Sequence, residues 1–210
     1  MGSFTFDDIL KNLRKKIDFS YSRFGDGEWN SILGKTGQNT DGHEYFPDMG
    51  TTLKEILEAR PPYHLGLQNL GKTQNKNNPE FIRLVEQNKW VNNELIHHAN
   101  INGRLPELFD ALKDRYVILV GNETLRKVSF KYDDFVEIPM KNCWLEYDRV
   151  YQELDDLREP QCVILYCASM MSNVLTHNLY NLVITQIDIG SALDPWVGRN
   201  TRTYHKNLKL

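Results

Sequence analysis

Residues 22–29 of the chain read SRFGDGEW, which puts Asp26 and Glu28 one residue apart, glycines at 25 and 27, and Arg23 three positions before the aspartate. Neighbouring like charges oppose each other's ionisation, and glycine costs backbone entropy on folding, so the arrangement calls for a compensating interaction. A hard divalent cation supplies one. Mg2+ and Mn2+ take oxygen ligands and are commonly held by one or two carboxylates together with substrate phosphates. Gly25 and Gly27 allow backbone and ligand to approach closely, and Arg23 either pairs with a carboxylate or grips a diphosphate with both arms of its fork. The same residues also make an ordinary turn, in which Asp26 caps a helix beginning near Glu28. By themselves they leave both readings open.

The elements that would position this turn follow from periodicity. Residues 4–16 carry Phe6, Ile9, Leu10 and Leu13 at helical spacing, with Ile17 just beyond. Residues 18–24 alternate as a strand, 28–33 start a helix stopped by Gly34, and 35–50 are a polar loop. A helix over 51–59 ends at Pro61-Pro62, a short strand spans 63–67, and residues 68–78 form a polar loop expected to be mobile. Pro79 opens a helical stretch reaching about Asn100. In the second half, 116–121, 162–168 and 183–189 are apolar runs of the kind buried on both faces of a sheet, and 136–140 is a further strand. Helices are expected over 144–158, with Leu145, Val150, Leu154 and Leu157 in the core, and over 169–181, capped by Ser169 or Ser172.

Strands alternating with helices over short connections predict one α/β domain spanning 1–210, Rossmann-like, with an open, mostly parallel sheet and helices on both faces. Ligands of such sheets bind outside the carboxyl ends of the strands. The polar residues expected there are Gly25, Asp26, Glu28, Gly121, Asn122, Glu123, Ser169, Asp188 and Gly190.

Composition narrows the class. The chain has 210 residues, 40% of them hydrophobic, and a formal net charge of -3, which fits one domain without a global cationic field. Its end is locally basic, with Arg199, Arg202, His205, Lys206 and Lys209, readable as a solvated, frayed terminus or as a grip on phosphate. Three cysteines, Cys143, Cys162 and Cys167, with no CxxC pair, read as small buried hydrophobes in a reducing compartment. Met1-Gly2 lacks the Ser or Thr that a myristoylation signal wants at position 6, where Phe6 stands. No apolar run approaches a membrane span, and a cytoplasmic location is expected.

The stretch Arg23-Phe24-Gly25-Asp26-Gly27-Glu28 after a strand resembles the start of the GT-D-type glycosyltransferase domain, whose metal signature is Asp-x-Glu. Residues 138–148, IPMKNCWLEYD, are similar to the family's Pro-x-x-Asn-x-aromatic segment and the helix after it. Cys167-Ala168-Ser169 stands at its Gly-Pro-Thr-like turn, and Ile187-Asp188-Ile189-Gly190 looks like its late strand end. The resemblance covers roughly residues 18–196. It implies sugar transfer from a nucleotide-diphosphate donor such as a UDP sugar, assisted by Mn2+ or Mg2+ at Asp26 and Glu28. The donor would be bound by Arg23, Gly25, Gly27, Asn122, Lys141, Asn142 and Ser169, and Asp188 would act as general base on the acceptor hydroxyl. Asp188 also reads as a plain turn-former before Gly190. The acceptor is either a glycan or glycoprotein, or a hydroxymethylated base of phage DNA, so that DNA modification is among the expected roles. The alternatives are a non-catalytic nucleotide-sugar binder and a metal-dependent phosphohydrolase.

Other residues carry weaker signals. His97-His98 lacks the spacing of a metal pair and reads as surface or groove. Trp29, Trp90, Trp144 and Trp196 read as core, with Trp196, beside the basic end, also open to a role as acceptor contact. Tyr204 and His205 either stack on a base or sugar or belong to a frayed end.

Overall fold

The computed structural model describes residues 4–68 and 73–208. Thr5 opens the first helix, α1 (Phe6–Arg14), by accepting the Asp8 N–H while its own N–H donates to the Asp8 carboxylate. Phe6, Ile9, Leu10 and Leu13 then form one buried stripe. The strands are β1 (Ser20–Phe24), β2 (His64–Leu67), β3 (Trp90–Asn92), β4 (Val117–Gly121), β5 (Asp134–Glu137), β6 (Val163–Tyr166) and β7 (Thr185–Asp188). They form one sheet in the order β3-β2-β1-β7-β6-β4-β5, every pair parallel.

The remaining helices are α2 (Asp26–Ile32), α3 (Pro47–Glu58), α4 (Pro79–Glu86), α5 (Leu95–Ile101), α6 (Leu105–Leu112), α7 (Tyr147–Leu157) and α8 (Met171–Asn178). They cover both faces of the sheet. Val117, Leu119, Val163 and Leu165 pack with α1, α5 and α6, whereas Ile118, Val120, Ile164 and Tyr166 pack with α7 and α8. That alternation is why the central strands read as unbroken apolar runs. Each such side chain contributes about 1.5–3 kcal/mol on burial. At the amino ends of the strands the buried Arg115 pairs with Asp18 and donates to the carbonyls of Leu13 and Gln161, tying α1 to the sheet on the side away from the site. No described helix is long and apolar enough to cross a membrane.

Several expectations need correction. α2 begins at Asp26, two residues before Glu28, because Gly25 is the N-cap. α3 begins at Pro47, inside the expected loop, since proline suits a first helical turn. The stretch from Pro79 is not one helix. Asn88 donates to the carbonyls of Leu57 and Leu84 at the end of α4, and Trp90-Val91 pair with β2 as a strand that three residues of pattern could not reveal. α6 lies where periodicity assigned no element. Leu145 is 71% exposed, because residues 143–146 form a separate 3-10 turn out of phase with α7. Neither Ser169 nor Ser172 caps α8: Met170 is the N-cap, and Ser169 lies in the left-handed region at φ 51°. The basic end is not frayed. Residues 203–207 form a 3-10 turn, and buried His205 accepts the N–H groups of Thr201 and Arg202 through Nδ1. Met1-Gly2, Lys209 and positions 69–72 of the expected mobile loop lie outside the described residues.

Candidate active site

Every strand of the sheet delivers residues to one cleft at its carboxyl edge, with a volume of about 560 Å3. β1 leads into Gly25, Asp26 and Glu28, β2 into Gln68 and β3 into Asn93; β4 gives Asn122, β5 Met140 and Lys141, β6 Cys167 and Ser169, and β7 Asp188 and Gly190. Parallel strands all end on the same side, so residues as far apart in sequence as Arg23 and Asp188 become neighbours. Of the site residues expected from sequence, Arg23, Gly25, Asp26, Gly27, Glu28, Asn122, Lys141, Ser169 and Asp188 line this cleft.

Asn142 does not. Its backbone is left-handed at φ 53°, and its side chain exchanges two hydrogen bonds with Glu44, accepting the backbone N–H at 2.9 Å and donating to Oε1 at 3.0 Å. Gly121 and Glu123 also fall outside the cleft lining.

The acidic turn is built differently from a free hairpin. Asp26 and Glu28 occupy the first and third positions of α2, two apart on a helix, so their side chains do not face each other. Glu28 curls back to accept the Gly25 N–H through Oε2 at 2.8 Å. Asp26 is exposed at the rim, where its Oδ1 accepts from Gln68 Nε2 at 2.8 Å and Thr73 Oγ1 at 3.2 Å. Asp26 is therefore not the cap of α2. Nor do Gly25 and Gly27 depend on glycine geometry: neither has positive φ, and a Cβ on either would meet nothing nearer than 3.4 Å.

The cleft floor is electrostatically unusual. Burial pushes the Glu28 carboxyl up to about 7, with the Asp188 charge adding to the effect and the Gly25 N–H opposing it. Burial likewise pushes Asp188 up to about 6 against the pull of Arg23. Asp188 is 5% exposed, and its Oδ1 accepts the Gly190 N–H at 3.0 Å, so it forms the turn and faces the cleft at once. Arg23 lies between these groups. Its Nε donates to the Asn93 carbonyl at 2.8 Å, its Nη2 is 3.1 Å from His97 Nε2, and its Nη1 stands 4.0 Å from Asp188 Oδ1. This geometry requires Gly190: with φ 53°, a Cβ there would sit 2.3 Å from Arg23 Nη1.

The rim is closed by the basic end of the chain. The Arg202 guanidinium makes a two-armed ion pair with Asp41 of the loop before α3. Burial alone would raise the Asp41 carboxyl, but the Arg202 hydrogen bonds and charge hold it below its usual value. Arg199 donates to Asn122 Oδ1 and Thr124 Oγ1, each at 3.2 Å, and also reaches Asp194. Asn122 is thereby both the cap of a 3-10 turn and a partner of Arg199. Ser169 Oγ accepts from Asn39 Nδ2 at 2.8 Å, and the Lys141 stem lies against Gly42. Asp41 and Asn39 sit in a polar loop without pattern, so residue order could not single them out. His97 and the two arginines were visible but not placeable. Trp196 packs beneath α5, donating to Asn100 Oδ1, and is not in the cleft lining. Among the described residues no three His, Cys, Asp or Glu side chains converge as a closed metal-binding cluster.

Comparison with known structures places the fold. The chain is similar to a glycosyltransferase from Streptococcus sanguinis that represents domain of unknown function 1792, with a TM-score of 0.68 and 16% identity over 91% of this chain and 81% of that chain. A second structure, described as showing that this highly conserved domain has a distinct glycosyltransferase fold, is matched with a TM-score of 0.66 and 17% identity over 99% of this chain and 90% of that one. No protein-family model matches the chain, and no curated protein matches it at a significant level. The architecture is thus that of the GT-D-type domain, as RFGDGE and the late strand end led us to expect, and the sheet is wholly rather than mostly parallel.

Proposed function

We propose that this protein transfers a sugar from a nucleotide-diphosphate donor to an acceptor hydroxyl. One observation carries the reading: a glycosyltransferase fold whose carboxyl-edge cleft joins two carboxyls of raised proton affinity, Asp188 buried and Glu28 partly buried, to a fixed guanidinium. A cleft of about 560 Å3 suits a nucleotide sugar, since small-molecule sites commonly enclose about 300–1,000 Å3.

The donor set fits a divalent ion. Raised carboxyls at the floor mark a place short of positive charge, and an open site of one or two carboxylates completed by phosphate and water is what Mg2+ or Mn2+ takes. Glu28 would hold it from the cleft floor, and Asp26 would join it by turning inward from Gln68 and Thr73 at the rim. When bound, such an ion neutralises charge developing on the departing diphosphate.

The chain's own residues do the rest. Arg23 presents a guanidinium already tethered by Asn93 to the leaving diphosphate. Lys141, Ser169, Asn122 and the backbone at Gly25 and Gly27 contact the donor from the walls. Asp188 accepts the acceptor's proton as the acceptor oxygen bonds to the anomeric carbon and the bond from that carbon to the diphosphate breaks. A carboxylate near 6 is a better base than an ordinary aspartate and remains ionised at neutral pH.

The deciding experiment incubates the protein with a panel of nucleotide sugars and Mn2+ or Mg2+, offering glycan, glycoprotein and hydroxymethylated-DNA acceptors, and follows product by mass shift. Transferred sugar supports the proposal and identifies the acceptor. Tight donor binding with no turnover on any acceptor makes the protein a nucleotide-sugar binder, release of sugar phosphate with nucleoside monophosphate makes it a phosphohydrolase, and release of free sugar alone makes it a hydrolase of the donor's glycosidic bond. If DNA is the acceptor, affinity must fall steeply between low and physiological salt.

A further inference from the structure

The histidine pair at 97–98 splits into two unlike residues. His98 is half-exposed and approaches Glu94 on the outside of α5, whereas His97 turns into the cleft against Arg23. Both ring nitrogens of His97 lie near Arg23 Nη2, Nε2 at 3.1 Å and Nδ1 at 3.4 Å. A guanidinium has five donors and no acceptor, so the imidazole must receive it, and a position this close to both ring nitrogens puts Nη2 over the electron-rich face of the ring. An imidazolium would present only donors to another cation. The surroundings agree: burial, with the positive charges of Arg23 and Arg202 and the nearby His205 and His98, keeps the ring neutral well below its usual titration range. The Tyr204 ring backs the imidazole with centroids 5.0 Å apart, so the folded end of the chain helps fix its orientation.

The tethers on Arg23 are directional. Asn93 holds Nε, His97 holds Nη2, and Gly190 leaves the space that Nη1 occupies. Together they stop Nη1 at 4.0 Å from Asp188, beyond hydrogen-bond reach. Released from His97, the guanidinium would close on the buried aspartate and make a forked pair, since that is the nearest carboxylate.

We propose that His97 is a positioning residue: its neutral imidazole orients Arg23 as a diphosphate fork and keeps it from collapsing onto Asp188. The inference rests on the donor reading above. It assigns His97 no contact with the reacting atoms.

The test titrates inorganic pyrophosphate with Mg2+, which carries the diphosphate chemistry without base or sugar, into wild type, His97→Met, His97→Gln, Arg23→Lys and the Arg23→Lys/His97→Met double variant. Methionine fills similar space with no comparable acceptor, while glutamine restores one. His97→Met is expected to weaken binding about tenfold or more, consistent with loss of one desolvated contact to a charged group. His97→Gln should stay within about threefold of wild type, and His98→Ala should bind like wild type. The two losses should not add in the double variant, because both act through one guanidinium. The Arg23 Nε–H resonance should shift in His97→Met and not in His98→Ala, which a general loss of stability would not produce. Wild-type affinity in His97→Met, equal losses in the Gln and Met variants, or additive losses overturn the role of His97 while leaving the donor reading intact. A wild type that binds neither pyrophosphate nor any nucleotide sugar overturns both.

Discussion

Replacing Glu28 with glutamine should make the ligand-free protein more stable at alkaline pH while abolishing its activity. The folded protein moves this carboxyl from the 4.5 of an ordinary glutamate to about 7, chiefly through burial. A group whose proton is held more tightly in the folded state favours folding fully below its unfolded value, and that contribution is lost as pH rises through the folded value. For Glu28 the window is therefore about pH 4.5 to 7, and the loss by pH 8 is of order 3 kcal/mol. The amide cannot ionise, yet its oxygen still accepts the Gly25 N–H that Glu28 holds at 2.8 Å. Glu28→Gln should match wild type near pH 4.5 and exceed it increasingly toward pH 8. For a chain of this size 1 kcal/mol moves Tm by about 2–4 °C, so the gap at pH 8 is roughly 6–12 °C. Asp188 titrates with the same sign in both proteins, and its repulsion of the Glu28 charge is already part of the value near 7. Thermal melts from pH 4.5 to 8.5 in chelator provide the measurement. Adding Mn2+ at pH 8 should raise wild-type Tm and leave the variant unmoved, and donor turnover should fall at least a hundredfold in the variant. A Tm offset that is the same at every pH, or a variant less stable than wild type at pH 8, would refute the reasoning, because burial of the charge would then not be what raises this carboxyl.

Asp188→Asn should lower turnover by about a hundredfold to ten-thousandfold, the usual contribution of a general base, and remove the acid limb of the rate profile near pH 6, as read by steady-state kinetics. Gly190→Ala should reduce pyrophosphate affinity at least tenfold and destabilise the fold by about 1–3 kcal/mol, because the new Cβ falls 2.3 Å from Arg23 Nη1 on a backbone at φ 53°; unchanged binding and Tm would show that Arg23 does not lie as described. Gly50→Ala, far from any chemistry, should cost about 1–3 kcal/mol in a denaturant melt, since its Cβ would meet the Ser31 carbonyl oxygen at 2.3 Å where α3 packs on α2.

How much of this was legible beforehand differs by element. The three long apolar strands and α1 were plain, because burial on both faces or along one stripe writes a continuous or periodic signal. β3 was hidden, because three residues hold too little pattern to separate them from the flanking helices. α6 and the early start of α3 depend on prolines in first turns, which the same reading elsewhere treats as breakers. Leu145 looked apolar and stands in solvent, since a 3-10 turn changes the angular step between residues and so the face that each one presents.

The residue order alone determined that this is an α/β chain with polar groups at its strand ends, and that Arg23, Asp26, Glu28 and Asp188 belong among them, because local periodicity and turn chemistry are encoded over a few residues. Only the tertiary structure decided that Glu28 turns inward while Asp26 stays on the rim, that His97, Asn93 and Gly190 fix one guanidinium, and that Arg202 reaches Asp41 across 161 positions of sequence. Those relations arise where parallel strands end side by side and burial changes what each charge costs, and neither strand order nor desolvation leaves a mark on neighbouring letters.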